Sequence, residues 1–312
     1  MSQSLDGGPR RAVQTALAAN LGIALAKCTA AAFTMSGTLL AESLHSFCDC
    51  ANQLLLLTGM RHSQAPATDK HPMGAGKAIY FYAALVAIFL FFGGGLFSVF
   101  TAYQHFLNPT ALEHGGLSLA VLVVAALLEG YSLSSALRGL KKERGKRTLY
   151  QWFRESRSSE LLIVTGEDIG ALVGLGIAVV ALLLTIVTGN PLFDAAGALC
   201  VGLLLMGISS LLLREIRDLI IGESASAETR KALADFLAHQ DEVKEVVRVT
   251  TLQWGREIAV TVKAEMHERS SASLLIAAVD ALERRLRAQF PAVRWVSVQP
   301  GHAQGIPPSA KR

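Results

Sequence analysis

The sequence predicts a membrane-embedded all-α six-helix bundle followed by a small cytoplasmic α+β domain, and three observations lead there. Of 312 residues, 51% are apolar and only 17% charged, with a positive mean hydropathy, a balance outside that of ordinary soluble domains. The apolar residues gather into six stretches of membrane-spanning length. After Gly222 the pattern changes to short alternating and helically spaced segments.

A bilayer core takes roughly 20 apolar residues per helix, and the six stretches run over about 12–33, 38–60, 79–106, 116–139, 159–187 and 192–213. An even number of spans puts both ends on one side. Arg10 and Arg11 precede the first stretch, Arg61, Lys70 and Lys77 follow the second, and eight basic residues lie from Arg138 to Arg157. The opposite loops, around Met35, from Asn108 to Gly115 and from Gly189 to Pro191, hold no Lys or Arg. The positive-inside rule therefore places both termini in the cytoplasm. The formal charge of +4 is accounted for by these loops and not by a nucleic-acid footprint. Cys28, Cys48, Cys50 and Cys200 all fall in apolar stretches, so free, buried thiols are expected. The N-terminus has no small-residue cleavage site, and a retained first span is expected.

Residues 1–222 are thus read as the six-span domain and 223–312 as a cytoplasmic domain with a short tail. The latter begins with an N-cap and acidic first turn at Ser226 to Glu228 and a helix to about Ala238. Alternation over Val243–Leu252 and Glu257–Met266, joined by a turn at Trp254 to Arg256, predicts a β-hairpin. A second helix over Ser273–Gln289 carries Leu274, Ala277, Ala278, Ala281, Leu282 and Leu286 at helical spacing, and Pro291 ends it before a strand at Val293–Val298. The order αββαβ is ferredoxin-like. A core of this size is limited, which favours pairing with a second copy.

Ionisable residues inside spans are costly and need a reason to be there. Glu42, His45 and Asp49 stand at i, i+3 and i+7 on one helical face, continued by Asn52 and Gln53. The fifth stretch adds Glu167 and Asp168, about 100° apart around their helix. Asn20 and Glu129 complete the inventory. An imidazole with carboxylates is the donor set of a divalent transition metal: nitrogen suits zinc, cobalt, nickel and iron, and carboxylate oxygen also admits manganese. His45 and Asp49 can reach one ion, Asp168 supplies a third ligand, and Glu167, Asn20 or water a fourth. The same groups also occur as proton relays or interhelical hydrogen bonds, the reading preferred for Glu42, Asn20 and Glu129. Cys48 and Cys50 lie off the His45 face and read as apolar fillers.

The segment AESLHSFCDCANQLLLLTG resembles the second span of the cation diffusion facilitator family, whose motif of His or Asp, three residues, Asp falls on His45 and Asp49. DKHPMGAGKAIYFYAAL resembles the following loop and third span, and GEDIGALVGLGIAVV the fifth span, placing the second metal Asp on Asp168. FDAAGALCVGLLLMG resembles the sixth span, and the tail through FPAVRWVSVQP the family's cytoplasmic domain. The resemblance is greatest to the branch that includes zinc transporter nine of mitochondria and many bacterial relatives. It implies a homodimeric exporter that exchanges zinc or a similar divalent ion for protons by alternating access, with no tightly bound cofactor. A bacterial inner membrane is the expected location.

The resemblance also marks departures. Val164 stands where many members have a fourth ligand, a His, which leaves that corner to Glu167, the best candidate, or water. Ala75 stands where the loop's second His is expected, so His71 reads as a turn residue. Val247, Lys263 and Ser297 occupy ligand positions of the cytoplasmic domain, and His239, His267 and His302 read as surface histidines. A dimerising domain without a strong metal site is expected. The competing reading is a non-transporting membrane metal sensor or scaffold. No Walker glycine loop and no His-Glu-x-x-His helix occurs, which argues against a pump driven by ATP and against an intramembrane hydrolase; the chain is not expected to be an enzyme.

Overall fold

A computed structural model of the chain describes residues 8–109, 114–145, 148, 151–153, 156–157 and 159–302. The side chains of Arg10, Arg11 and the basic residues from Lys141 to Arg154, used above for orientation, lie outside the described residues, as does the tail after His302.

Each of the six apolar stretches is helical: α1 Gly8–Thr34, α2 Gly37–His62, α3 Ala78–Leu107, α4 Gly115–Arg144, α5 Ser159–Thr188 and α6 Leu192–Ile221. Among the described residues, three segments, Ala78–Leu107, Leu161–Thr188 and Leu192–Ile221, are long and apolar enough to cross a membrane, and Gly115–Tyr131 is a shorter apolar helix. At about 1.5 Å per residue, helices of 28 to 30 residues exceed the roughly 30 Å hydrocarbon core. α2 has comparable length, but Glu42, His45, Asp49, Asn52 and Gln53 interrupt its apolar run. Among the described residues, length and apolarity by themselves therefore support three of the six expected spans.

The chain divides into two compact units, one of residues 1–62, 79–154 and 159–217, the other of 63–78, 155–158 and 218–312. In the first, α1 packs on α2 and α4, α4 on α5, and α2 on α3 and α5. Ala30, Ala31, Leu39, Leu122, Ala125, Leu175, Ala178 and Leu182 form a close-packed apolar layer among α1, α2, α4 and α5. Half of these residues are alanines, which suits helices that gain by close van der Waals approach and not by expelling water. Residues Leu90–Leu96 of α3 form a π-helical turn that the sequence pattern does not announce; three consecutive glycines, Gly93 to Gly95, lower the cost of widening the helix there. All four cysteines are free, but the expectation of burial fails at Cys200, which is exposed, and Cys28 is half-buried. An apolar stretch that faces lipid gives no reason for every thiol on it to turn inward.

The second unit has the predicted αββαβ order: α7 Ala227–Ala238, β1 Val243–Trp254, β2 Glu257–Met266, α8 Ala272–Gln289 and β3 Val293–Pro300. Ser226 caps α7 by accepting the Thr229 backbone N–H, and Ser271 caps α8 through Leu274. β2 is central, antiparallel to β1 with Trp254 opposite Glu257, and parallel to β3 with Val262 opposite Val298. Gly255 opens the two-residue hairpin loop at φ +66°, a conformation that glycine adopts without steric cost. Ile258, Val260, Val262 and Ala264 alternate along β2 into a core with Leu233, Leu237, Leu282 and Leu286 from the two helices. Lys77 Nζ lies 4.8 Å from the Trp254 ring centre and donates to the Ile220 carbonyl at the end of α6 (3.2 Å), a favourable position for a cation at a helix C-terminus.

Candidate metal centre

The face of α2 predicted to be polar is buried. Glu42 and Asn52 are fully buried, His45 is 1% exposed, and Asp49 is half-buried. His45 Nδ1 stands 3.7 Å from Asp49 Oδ1, too far for a hydrogen bond. Neither ring nitrogen of His45, nor Asp49 Oδ1, has a hydrogen-bond partner in the structure. Buried polar atoms are normally paired, because an unpaired one keeps its desolvation cost. The lone-pair nitrogen of the neutral imidazole and a carboxylate oxygen left in this state are electron-pair donors suited to a borderline divalent cation.

α5 meets this face through Glu167, whose Oε1 accepts the Asn52 amide N–H at 2.5 Å. Glu167 is buried and its neighbour Asp168 half-buried, as their angular separation on the helix requires. Asp168 lies in the electrostatic field of Asp49 and Glu129. Val164 is 37% exposed. His45 and Asp49 are therefore neighbours, and Glu167 is tied to the same helix by Asn52. Among the described residues, however, no three His, Cys, Asp or Glu side chains converge closely enough to hold a single ion.

Two buried charged residues outside the predicted set organise this region. Lys27 on α1, omitted from the inventory of polar residues within spans, is fully buried and donates to Glu42, Ser46 and Glu129. Its signal was a single cation in an otherwise apolar stretch. Asp194, in the first turn of α6, accepts hydrogen bonds from Ser36 Oγ (2.7 Å) and from the Gly37 and Thr38 backbone N–H groups. A remote carboxylate thus caps the N-terminus of α2, where the helix dipole favours negative charge, and anchors the helix that carries His45 and Asp49. No local pattern links positions 37 and 194.

In the second unit His71 is exposed and sits in a hydrogen-bonded turn, with its N–H donating to the Thr68 carbonyl (3.0 Å) and its carbonyl accepting from Gly74. His239, His267 and His302 are exposed, as expected. Lys244 and His302 both approach the Glu265 carboxylate, at 2.6 and 3.4 Å, and the Lys244 hydrogen bond, followed by that of His302, holds its carboxyl below the ordinary glutamate value.

Comparison with known proteins extends the assignment beyond single residues. The proton-coupled zinc antiporter SLC30A9, mitochondrial, of Mus musculus is 29% identical over 263 residues, covering 83% of this chain and 46% of the relative. Metal tolerance protein C4 of Arabidopsis thaliana is 28% identical over 240 residues, 76% of this chain and 52% of the relative. The cation-efflux pump FieF of Salmonella arizonae is 34% identical over 127 residues, 41% and 42% of the two chains. The chain spans about half the length of the first two. The profile of the cation efflux transmembrane domain matches residues 13–221, a run that begins in α1, takes in Lys27, Glu42, His45, Asp49, Glu129, Glu167, Asp168 and Asp194 and ends with α6; this chain belongs to the cation efflux family of metal transporters.

Proposed function

We propose that this chain is a proton-coupled antiporter that exports divalent transition-metal cations, zinc foremost, by alternating access around His45, Asp49, Asp168 and Glu167. On this reading α1 to α6 all span a bacterial inner membrane with both termini in the cytoplasm. Residues 1–222 form the transport domain, and 223–312 pair with a second copy. The observation that carries the proposal is the buried, unpartnered donor set of His45 and Asp49.

An ion entering this level meets an imidazole nitrogen and a carboxylate one helical turn apart. Closure of α5 on α2 brings Asp168 and Glu167 into reach and completes the shell. Metal binding requires deprotonated ligands, so loading releases protons, and protonation on the opposite face releases the metal. The nitrogen donor favours zinc over a purely oxygen-seeking ion, while manganese, iron and cobalt remain within the range of the set. The SLC30A9 relative, named a proton-coupled zinc antiporter, supports the same preference.

The test is flux through the purified protein in liposomes under an imposed proton gradient, with zinc, manganese, iron and cobalt measured separately. Zinc flux is expected, and His45→Ala or Asp49→Ala is expected to reduce it to background; full flux in either variant refutes the site. Val164→His is expected to leave the metal preference unchanged, given the outward exposure of Val164; a shift toward zinc would place position 164 at the ion. A second reading, a non-transporting metal sensor or scaffold, draws on the absence of three converging ligands among the described residues. Stoichiometric metal binding without flux of any ion would favour it.

A further inference from the structure

The buried ammonium of Lys27 has the surroundings of a bound cation. It donates to Glu129 Oε1 on α4 at 2.9 Å, to Ser46 Oγ on α2 at 2.9 Å and to Glu42 Oε2 on α2 at 3.3 Å. Its three N–H donors are thereby all used. Each carboxylate retains one buried oxygen without a hydrogen-bond partner, Glu42 Oε1 and Glu129 Oε2. Glu42 Oε1 points at Gly174 on α5, where a Cβ would come within 2.7 Å of it; the missing side chain leaves room for that oxygen. Two carboxylates and a hydroxyl from two helices around one positive charge form an oxygen-lined cation site, already filled by a side chain of the protein.

Its position relative to the proposed metal ligands gives this arrangement a role. Glu42 precedes His45 by three residues and Asp49 by seven, and Ser46 adjoins His45. At about 1.5 Å per residue, the Glu42 level lies roughly 10 Å along α2 from Asp49. A free divalent ion in this part of the molecule would have two competing donor sets, the oxygens of Glu42, Ser46 and Glu129 and the His45 and Asp49 pair, of which Glu42, His45 and Asp49 share one face of α2.

We propose that Lys27 is a tethered counter-ion that occupies the Glu42, Ser46 and Glu129 oxygen site, excludes divalent cations from it and so confines the cargo to the His45 and Asp49 level. This rests on the metal-transport reading and adds a specificity-determining residue to it. Lys27 acts on the metal through the two carboxylates, as a positioning residue. Removal of its charge exposes a set of hard oxygen ligands, which suits manganese.

The experiment counts manganese and zinc ions bound per protomer, by equilibrium dialysis of the full-length purified protein, in the wild type, Lys27→Gln, Lys27→Arg and Lys27→Gln combined with Glu129→Gln. Lys27→Gln is expected to bind one additional manganese ion per protomer, and to keep it when His45→Ala is also present. Its metal KM should fall while its maximal flux drops about tenfold, because the added ion is held and not passed on. Lys27→Arg and the Lys27→Gln, Glu129→Gln double variant are expected to return to the wild-type count. A well-folded Lys27→Gln protein with the wild-type count overturns the proposal. If Lys27→Gln is recovered only when manganese is present during purification, the divalent ion has replaced the ammonium and the proposal is supported; failure to recover it with or without manganese overturns it in favour of a purely structural ion pair. Wild-type flux with no extra ion in Lys27→Gln removes the role of Lys27 and leaves transport standing. An extra ion in Lys27→Gln beside a wild type that moves no metal has the opposite meaning: the oxygen site stands and the transporter reading falls.

Discussion

The two units of this chain bury different kinds of surface. In the unit containing β1 to β3, the interior is Leu233, Leu237, Val260, Val262, Leu282, Leu286 and their apolar neighbours. Its buried polar side chains are satisfied locally: Gln253 donates to the Gly255 carbonyl at 2.8 Å and Thr251 accepts from the Ala225 N–H at 3.1 Å. Among the described residues of this unit, Trp254 Nε1 is the one buried side-chain polar atom without a partner. In the helical unit, by contrast, Glu42, His45, Asp49, Asn52, Gln53 and Glu129 all keep buried atoms unpaired. Unpaired buried polar atoms lower stability, so their concentration along α2 is a cost that the proposed metal site would account for, while the other unit is built for cohesion.

Exchanging the two kinds of residue tests this contrast most severely at His45. Replacing an unsatisfied buried polar side chain with an apolar one of similar size is nearly neutral or stabilising. His45→Leu is therefore expected to keep or raise the melting temperature in detergent while abolishing metal flux. A large loss of stability would mean that His45 serves the fold, and the contrast between the units would fail. The opposite outcome is expected for Leu282→Ala in the apolar core, where a fully buried leucine is worth about 3 kcal/mol. Amide hydrogen exchange across 227–300 should accelerate accordingly, with metal binding at His45 and Asp49 retained.

A smaller effect, at Asp194, falls between these cases, because there a buried charge in the helical unit is fully engaged. Asp194→Ala leaves the Gly37 and Thr38 N–H groups and the Ser36 hydroxyl without their acceptor, at a cost of about 2 kcal/mol. Faster exchange confined to the first turn of α2 is the expected signature. Unchanged protection at residues 37–40 would show that the cap contributes nothing to holding α2.

These cases also separate what was legible in the sequence from what was not. The cap at Ser226, the hairpin around Gly255 and the one-faced spacing of Glu42, His45 and Asp49 are local signals, decided within a few residues, and each element appears where its pattern places it, whereas the cap at Ser271 lies two residues ahead of the expected start of its helix. Lys27 with Glu129 and Asp194 with Gly37 are joined across 102 and 157 residues, and nothing in the periodicity of either segment names the partner. The π turn at Leu90–Leu96 was missed for another reason: a run of glycines permits several backbone conformations and selects none. The apolarity that identifies α3, α5 and α6 as spans is diluted in α2 by the residues that carry its chemistry, so the sequence signal for spanning is weaker in the helix that holds the proposed site.

The smallest effect is expected at the surface of the sheet unit, where charge is paired but solvated. Arg285 Nη2 is bonded to Glu242 Oε2 with Arg285 46% exposed, and this hydrogen bond holds the Glu242 carboxyl below its ordinary value of 4.5. A depressed carboxylate value in the folded state contributes stability above the unfolded-state value, and that contribution is lost as pH falls through the folded one. Because the pair is open to solvent, Arg285→Ala should cost no more than about 0.5 kcal/mol at neutral pH. The difference in melting temperature between wild type and variant should then shrink as pH falls from about 4.5 through the depressed folded-state value of Glu242, below which both proteins carry a protonated Glu242. A difference that persists undiminished in acid would assign the contribution of Arg285 to packing of its aliphatic stem on α8 and not to charge, and would bring this exposed pair closer in kind to the apolar core beneath it.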